Sequence, residues 1–289
     1  MTATILDGRA MGAELRVELR AEVARYVATC GHAPGLVIVR VEGDTASGVY
    51  SKAILRLARE LGILARLELL PNETSSQQLR TTLVQLNNDP LVNGIIVQMP
   101  LPTHLSQDLV AETISAEKDI DGMSVQSAGA LMLGLAGLLP STVAAVMEVL
   151  ERSQIALEGK HAVILGRSNV VGKPLALLLL RKNATVTICH SRTHDLPSFT
   201  RQADILVAAV GHPRMVTADM VRPGAVVIDV GINALPQGGV VGDVDFDAVN
   251  TVASALTPTP GGVGPLTNIL LFKQCIQAAW DQLKKQDWR

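Results

Sequence analysis

The sequence predicts an α/β fold of two three-layer domains, and three observations carry that reading. Short apolar runs rich in Val, Ile and Leu alternate with longer stretches whose apolar residues recur at helical spacing. Apolar residues make up 48% of the chain and Gly supplies 24 residues, while aromatics are only 2%. Such a core must rest on aliphatic side chains, as in α/β proteins. Finally, 289 residues are enough for two ordinary cores, and the alternation restarts after an interruption, so two domains are expected.

The elements follow in order. GLVIVRV (35–41) reads as a strand, SKAILRLARELGI (51–63) as a helix and ARLELL (65–70) as a strand. SSQQLRTTLVQLNND (75–89) is a helix ended by Pro90, and VNGIIVQMP (92–100) is a buried strand that completes a small parallel sheet. TVAAVMEVLERSQIAL (142–157) is helical and leads into HAVILG (161–166). That strand opens a second series with ATVTICHS (184–191), ADILVAAVG (203–211) and GAVVIDVGI (224–232). The boundary is expected within 122–142, giving a first domain over 1–122 and a second over 140–264. The C-terminal helix, 265–289, is assigned with the first.

A formal charge of −2 without any Lys/Arg run argues against nucleic acid or a membrane surface as partner and points to a small molecule. Cys30, Cys189 and Cys275 are far apart, form no metal-ligand spacing and fit a reducing compartment, where buried small side chains are expected. The start, MTATILDGRAMGAELR, lacks the basic and apolar runs of a signal peptide. SAGALMLGLAGLLP (127–140) is too short and Gly-rich to span a bilayer. A cytoplasmic location is expected.

In HAVILGRSNVVGKPLALLLL a strand runs into Gly166, Arg167 and Ser168, then Gly172, with Pro174 in the first turn of a helix. Strand, tight turn and helix start together suit a phosphate, whose charge meets free N–H groups and the positive end of the helix dipole. The spacing, GxSxxxGxP, departs from the usual GxGxxG of a Rossmann-like domain. At the end of the next strand a carboxylate would hold a ribose 2′-OH and select NAD. Ser191 and Arg192 stand there instead, and with Arg167 they favour the 2′-phosphate of NADP.

Three further stretches draw attention. Gln98 ends a buried strand, where open sheets present ligand contacts, although an amide bonding a neighbouring loop is as good a reading. KDIDG (118–122) supplies Asp119 and Asp121, either to hold a polar ring system or to build an Asx turn. PTPGGVGPLT (258–267) is a loop that lets backbone approach a ligand closely.

As an ordered set, these motifs resemble the methylenetetrahydrofolate dehydrogenase/cyclohydrolase family, the bifunctional FolD proteins, over nearly the whole chain. They are PGLVIVRV, Ser47-x-x-Tyr50, VQMPLP, KDIDG, GRSNVVGKP, ATVTICHSRT, VVIDVGI, VVGDV and PGGVGPLT. The resemblance implies a Rossmann-like NADP-binding second domain, an active-site cleft between the domains and a homodimer. It implies oxidation of 5,10-methylenetetrahydrofolate by hydride transfer to NADP, followed in most members by hydrolysis of the methenyl product. It further implies that Tyr50 contacts the folate, Gln98 supports catalysis and Asp121 grips the pterin amines. Gly166, Arg167, Ser168, Ser191, Arg192 and Ile232 would hold NADP, with Gly262 and Pro265 at the folate. No metal is implied.

The departures are local. Four residues after the tyrosine the family carries a lysine that works in the hydrolysis; Ile54 stands here. Lys52 points about 200° round a helix from Tyr50, whereas Ile54 falls in register with Leu57, Ala58 and Leu61 as part of an apolar stripe. MSVQSAG follows Asp121-Gly122, Ser141 to Ala145 replace a CTPxG motif, and Gln274-Cys275 replace an Asn-Thr pair. Hydride transfer needs positioning, while hydrolysis needs an activated water and moved protons. A dehydrogenase with weak or lost cyclohydrolase activity is therefore predicted. The alternatives are a paralogue acting on another C–N substrate with NADP, or a non-catalytic NADP-binding regulator.

Overall fold

The computed structural model describes residues 2–43 and 45–286; the side chains of Thr45, Ala46, Ser47, Val49 and Gln286 lie outside that description. Along the first half run β1 (Thr4–Ile5), α1 (Gly8–Cys30), β2 (Gly35–Val41), α2 (Thr45–Leu61) and β3 (Leu64–Leu70). They are followed by α3 (Ser76–Asn88), β4 (Gly94–Val97), α4 (Gln107–Thr113) and α5 (Val125–Met132). The second half holds α6 (Ser141–Arg152), β5 (His161–Leu165), α7 (Gly172–Arg181), β6 (Thr185–Cys189), α8 (Leu196–Thr200) and β7 (Ile205–Ala208). It ends with β8 (Val226–Asp229), β9 (Asn233–Ala234), β10 (Val240–Val241), α9 (Phe246–Val249), β11 (Ala255–Leu256) and α10 (Val263–Gln286).

These elements form two compact units, residues 15–141 with 271–289, and residues 1–14 with 142–270. The first unit is built on a parallel sheet in the order β3-β2-β4. Leu36, Val37, Ile38 and Val39 of its central strand are at most 1% exposed. A strand buried on both faces needs cover on both, which explains why this one is a continuous aliphatic run. One face packs Val37, Val39 and Val41 against Leu79, Leu83 and Leu86 of α3, whose i, i+4, i+7 spacing makes a single apolar stripe. A capping box fixes the start of α3: Ser75 accepts from the Gln78 N–H, and the Gln78 side chain accepts from the Ser75 N–H. Leu15, Leu19, Val23 and Tyr26 bury the inner face of α1. Tyr26 meets Trp280 of α10 edge to face, and the indole N–H donates to Glu22 at 2.7 Å.

The second unit carries a six-stranded parallel sheet in the order β1-β11-β8-β7-β5-β6. From β5 the chain goes outward to β6 on one side and returns to β7 on the other, so the order reverses at β5. Open α/β sheets bind ligands at the carboxyl ends of the strands at such a switch point. β1 corrects the expectation that the amino terminus belongs wholly with the first domain. Thr4 and Ile5 pair with Ala255 and Leu256, and Gly8 lies so close to Gly262 that a Cβ on it would meet the Gly262 oxygen at 1.7 Å. The last helix is likewise divided, with Val263 to Leu270 in this unit and the remainder in the other. Among the described residues no helix is long and apolar enough to cross a membrane. Cys189 and Cys275 are buried as expected, whereas Cys30 is only partly so.

Candidate active site

In the larger sheet the loop after β5 is shaped by what it cannot accommodate. Gly166 has φ 118°, and a Cβ there would lie 2.3 Å from the Ala209 oxygen; one on Gly172 would lie 2.1 Å from the Gly166 oxygen. Both positions therefore demand glycine. The Gly166 N–H donates to the Cys189 oxygen at 2.9 Å, tying the ends of β5 and β6 together. Ser168 Oγ accepts from the Val171 N–H at 3.1 Å, and no side chain caps α7. An uncapped helix start behind an exposed Arg167 and Ser168 fits a phosphate-bearing nucleotide. At the end of β6, the His190 N–H donates to Thr193 Oγ1 and the Arg192 N–H to His190 Nδ1, a turn that leaves Ser191 and Arg192 exposed.

Beyond β8, Ile232 is 64% exposed. It shares a pocket of about 120 Å³ with Gly262 and Pro265, so these three residues, from two separate motifs, are brought together at the ends of β8 and β11. Arg9 of α1 lines the same pocket.

Two buried carboxylates hold these loops, and sequence reasoning did not single them out. Asp229 accepts from the N–H groups of Gly231, Asp243 and Val244 at 3.0 to 3.1 Å. Asp243 accepts from the N–H groups of Val210 and Gly211 at 2.6 and 3.0 Å, and from Asn233 Nδ2 at 2.9 Å. Burial pushes the Asp229 carboxyl up to about 6 against the pull of those N–H donors, and the neighbouring Asp243 adds to the rise. The motifs VVIDVGI and VVGDV were visible, but their link is not: only the fold sets the Asp229 carboxylate against the Asp243 and Val244 backbone, and the Asp243 carboxylate against the loop after β7.

In the smaller unit, Gln98 follows β4 and is 6% exposed. Its Oε1 accepts a hydrogen bond from Ser51 Oγ, itself 1% exposed, on the first turns of α2. Tyr50, the preceding residue, keeps 37% of its surface in solvent, yet its phenol is pushed up to about 12 by loss of surrounding water and by the Asp121 carboxylate. The structure thus brings Tyr50 and Asp121 within electrostatic reach. Ile54 is fully buried and Lys52 is exposed, as the helical register requires. The Ser47 side chain lies outside the described residues.

KDIDG divides its labour. Lys118 Nζ donates to the Leu86 and Asp89 carbonyls at 3.1 and 2.6 Å, closing the end of α3. Asp119 builds the turn, accepting from the N–H groups of Met123 and Ser124 and from Ser127 Oγ. Asp121 takes no part in that turn; Ser141 Oγ at 2.8 Å and the Ser141 N–H are the bonds that favour its anion. Burial outweighs them and raises its carboxyl to about 6, helped by Asp119. Gln274 secures the same loop. Its Nε2 donates to the Ile120 and Leu139 oxygens at 2.9 and 2.7 Å, and its Oε1 accepts from the Leu139 N–H. Ser141 and Gln274, two of the departures seen in the sequence, are thus the residues that hold Asp121. Among the described residues no cluster of His, Cys, Asp or Glu is arranged to hold a metal ion.

The switch-point loop, its glycines and the uncapped helix define a dinucleotide-binding α/β protein. Residues 140–283 match the NAD(P)-binding domain, and residues 6–121 the catalytic domain, of the tetrahydrofolate dehydrogenase/cyclohydrolase family; the chain belongs to this family of enzymes. It is 50% identical over 283 residues to a bifunctional protein FolD of Roseiflexus sp. (strain RS-1), covering 98% of each chain. It is 49% identical to that of Herpetosiphon aurantiacus over 279 residues, 96% of this chain and 98% of the relative. Among solved structures, the bifunctional FolD enzyme of Campylobacter jejuni superimposes with a TM-score of 0.94 at 41% identity, covering 96% of this chain and 99% of that one. The Trypanosoma brucei FolD, complexed with NADP cofactor and inhibitor, gives 0.92 at 34% identity and covers 98% and 99%.

Proposed function

We propose that this protein is an NADP-dependent 5,10-methylenetetrahydrofolate dehydrogenase of one-carbon metabolism whose cyclohydrolase activity is weak or lost. The observation that carries the second half is the complete burial of Ile54 one helical turn from Tyr50, where the family resemblance calls for a lysine. A buried isoleucine neither accepts nor delivers a proton, and exposed Lys52 is on another face of α2.

The remaining machinery suits oxidation. Arg167, Ser168, Ser191 and Arg192 are exposed around the β5 and β6 ends, where they favour a 2′-phosphate. Bound NADP would supply the hydride acceptor for the substrate's methylene carbon. Asp121 grips the pterin amines as an anion, Tyr50 packs on the folate, and Gln98 supports the catalytic step. Ile232, Gly262 and Pro265 shape a largely apolar pocket that keeps water from the reacting carbon. The working form is a cytoplasmic homodimer.

Purified protein with 5,10-methylenetetrahydrofolate and NADP is expected to form NADPH, and to leave the decay of methenyltetrahydrofolate close to that in buffer alone. Absence of NADPH overturns the dehydrogenase reading. Enzyme-accelerated decay at a rate comparable to oxidation overturns the loss of hydrolysis and calls for another base, Asp121 first. Ile54→Lys, if folded, tests whether this one position separates the two reactions.

A further inference from the structure

The buried contact between Ser51 and Gln98 joins residues that are distant in sequence, one on α2 and one just beyond β4. Both side chains are almost fully withdrawn from water. A glutamine amide has an acceptor end and a donor end of nearly identical shape, and a half-turn about its last torsion exchanges them. In an exposed position that ambiguity is harmless; beside a reacting carbon it decides whether the ligand meets an oxygen or an N–H. A hydroxyl bonded to the amide holds it against rotation; being donor and acceptor alike it can bond either end, so what it fixes is the plane and position of the amide. Ser51 also stands three residues before Ile54, hence on the same face of α2. The face that lacks a lysine therefore carries a neutral hydroxyl aimed at Gln98.

We propose that Ser51 is a positioning residue for the hydride-transfer reaction: through its buried hydrogen bond to Gln98 it holds that amide in one place and plane at the substrate. The inference rests on the dehydrogenase reading above and deepens it. Ser51 need not touch the substrate or the cofactor, and its effect passes through Gln98. Its removal must therefore act on turnover more than on cofactor binding.

The test is steady-state oxidation of 5,10-methylenetetrahydrofolate by full-length wild type, Ser51→Ala and Ser51→Thr. Ser51→Ala is expected to lower kcat about tenfold, the scale of one lost orienting hydrogen bond, with KM for NADP unchanged. Ser51→Thr, which keeps the hydroxyl, is expected to recover most of the loss. If wild type forms NADPH and Ser51→Ala turns over equally fast, the inference fails and the dehydrogenase reading stands. If wild type forms no NADPH, both fail. Should Ser51→Ala not fold, Ser51→Thr and Ser51→Cys decide: a folded Cys variant, a weak donor, must lose turnover relative to Thr at equal KM for NADP. Equal turnover in the two overturns the proposal.

Discussion

The loops of the larger sheet and the side-chain cluster of the smaller one are built from different materials. The first are made mostly of backbone: glycines at 166 and 172 that tolerate no Cβ, an uncapped helix, and two aspartates that between them accept from five main-chain N–H groups. The second is made of side chains that bond one another, Ser51 with Gln98 and Ser141 with Asp121. Backbone sites demand one residue type at each point, so they permit little change. Side-chain sites permit substitution wherever another residue supplies a bond of the same sense. That contrast accounts for the location of the departures: Ser141 and Gln274 still hold the Asp121 loop, whereas nothing at Ile54 replaces a cation.

Four measurements test the contrast. Gly172→Val should have the largest effect, because its side chain is driven into the Gly166 carbonyl. NADP affinity should fall on the order of 100-fold or more, or the variant should fail to fold. A fluorescence titration matching wild type would remove this loop from the cofactor site.

Asp121→Asn comes next. If the anion pairs with the pterin donors as proposed, its loss should lower kcat/KM for methylenetetrahydrofolate about 100-fold, leaving KM for NADP as it was. In the wild type, kcat/KM should rise with pH and level off above about 6, where Asp121 is ionised. The asparagine variant should show no such rise. Stability moves the other way: a carboxyl raised from 3.8 to about 6 favours the fold fully below 3.8, and that gain is lost as pH rises through about 6. An activity profile flat from pH 5 to 7 would break this account.

Ile54→Ala should cost about 2–4 kcal/mol in denaturant unfolding, since the side chain is fully buried. A cost near zero would mean that the position is not packed and that the missing lysine needs another explanation. Arg192→Ala should have the smallest effect, raising KM for NADP about tenfold while leaving that for NAD unchanged. An equal rise for both would take the 2′-phosphate away from this residue.

Much of this was legible in the sequence. The central strands announce themselves as aliphatic runs because burial on both faces leaves no polar position, and Gly166 and Gly172 stand out because the turn requires them. Ile54 was readable as core from its register alone. The rest depends on contacts distant along the chain. β1 and β11 are two residues long each and carry no periodicity. Ser51, on a helix, looks like a solvated hydroxyl until β4 brings Gln98 to it. Asp119 and Asp121 are indistinguishable as letters. Hydrogen bonds from Met123, Ser124 and Ser127 are what commit the first to the turn, while the second meets Ser141.

The placement of β1 has a consequence for the order in which the fold is completed. Thr4 and Ile5 pair with a strand, Ala255–Leu256, that is made only after the whole of the smaller sheet and the rest of the larger one. The larger sheet therefore acquires its outer strand only after β11 has been made. The polypeptide passes from one unit to the other after residues 14, 141 and 270. No single cut releases either unit intact, because neither is a contiguous piece of the chain.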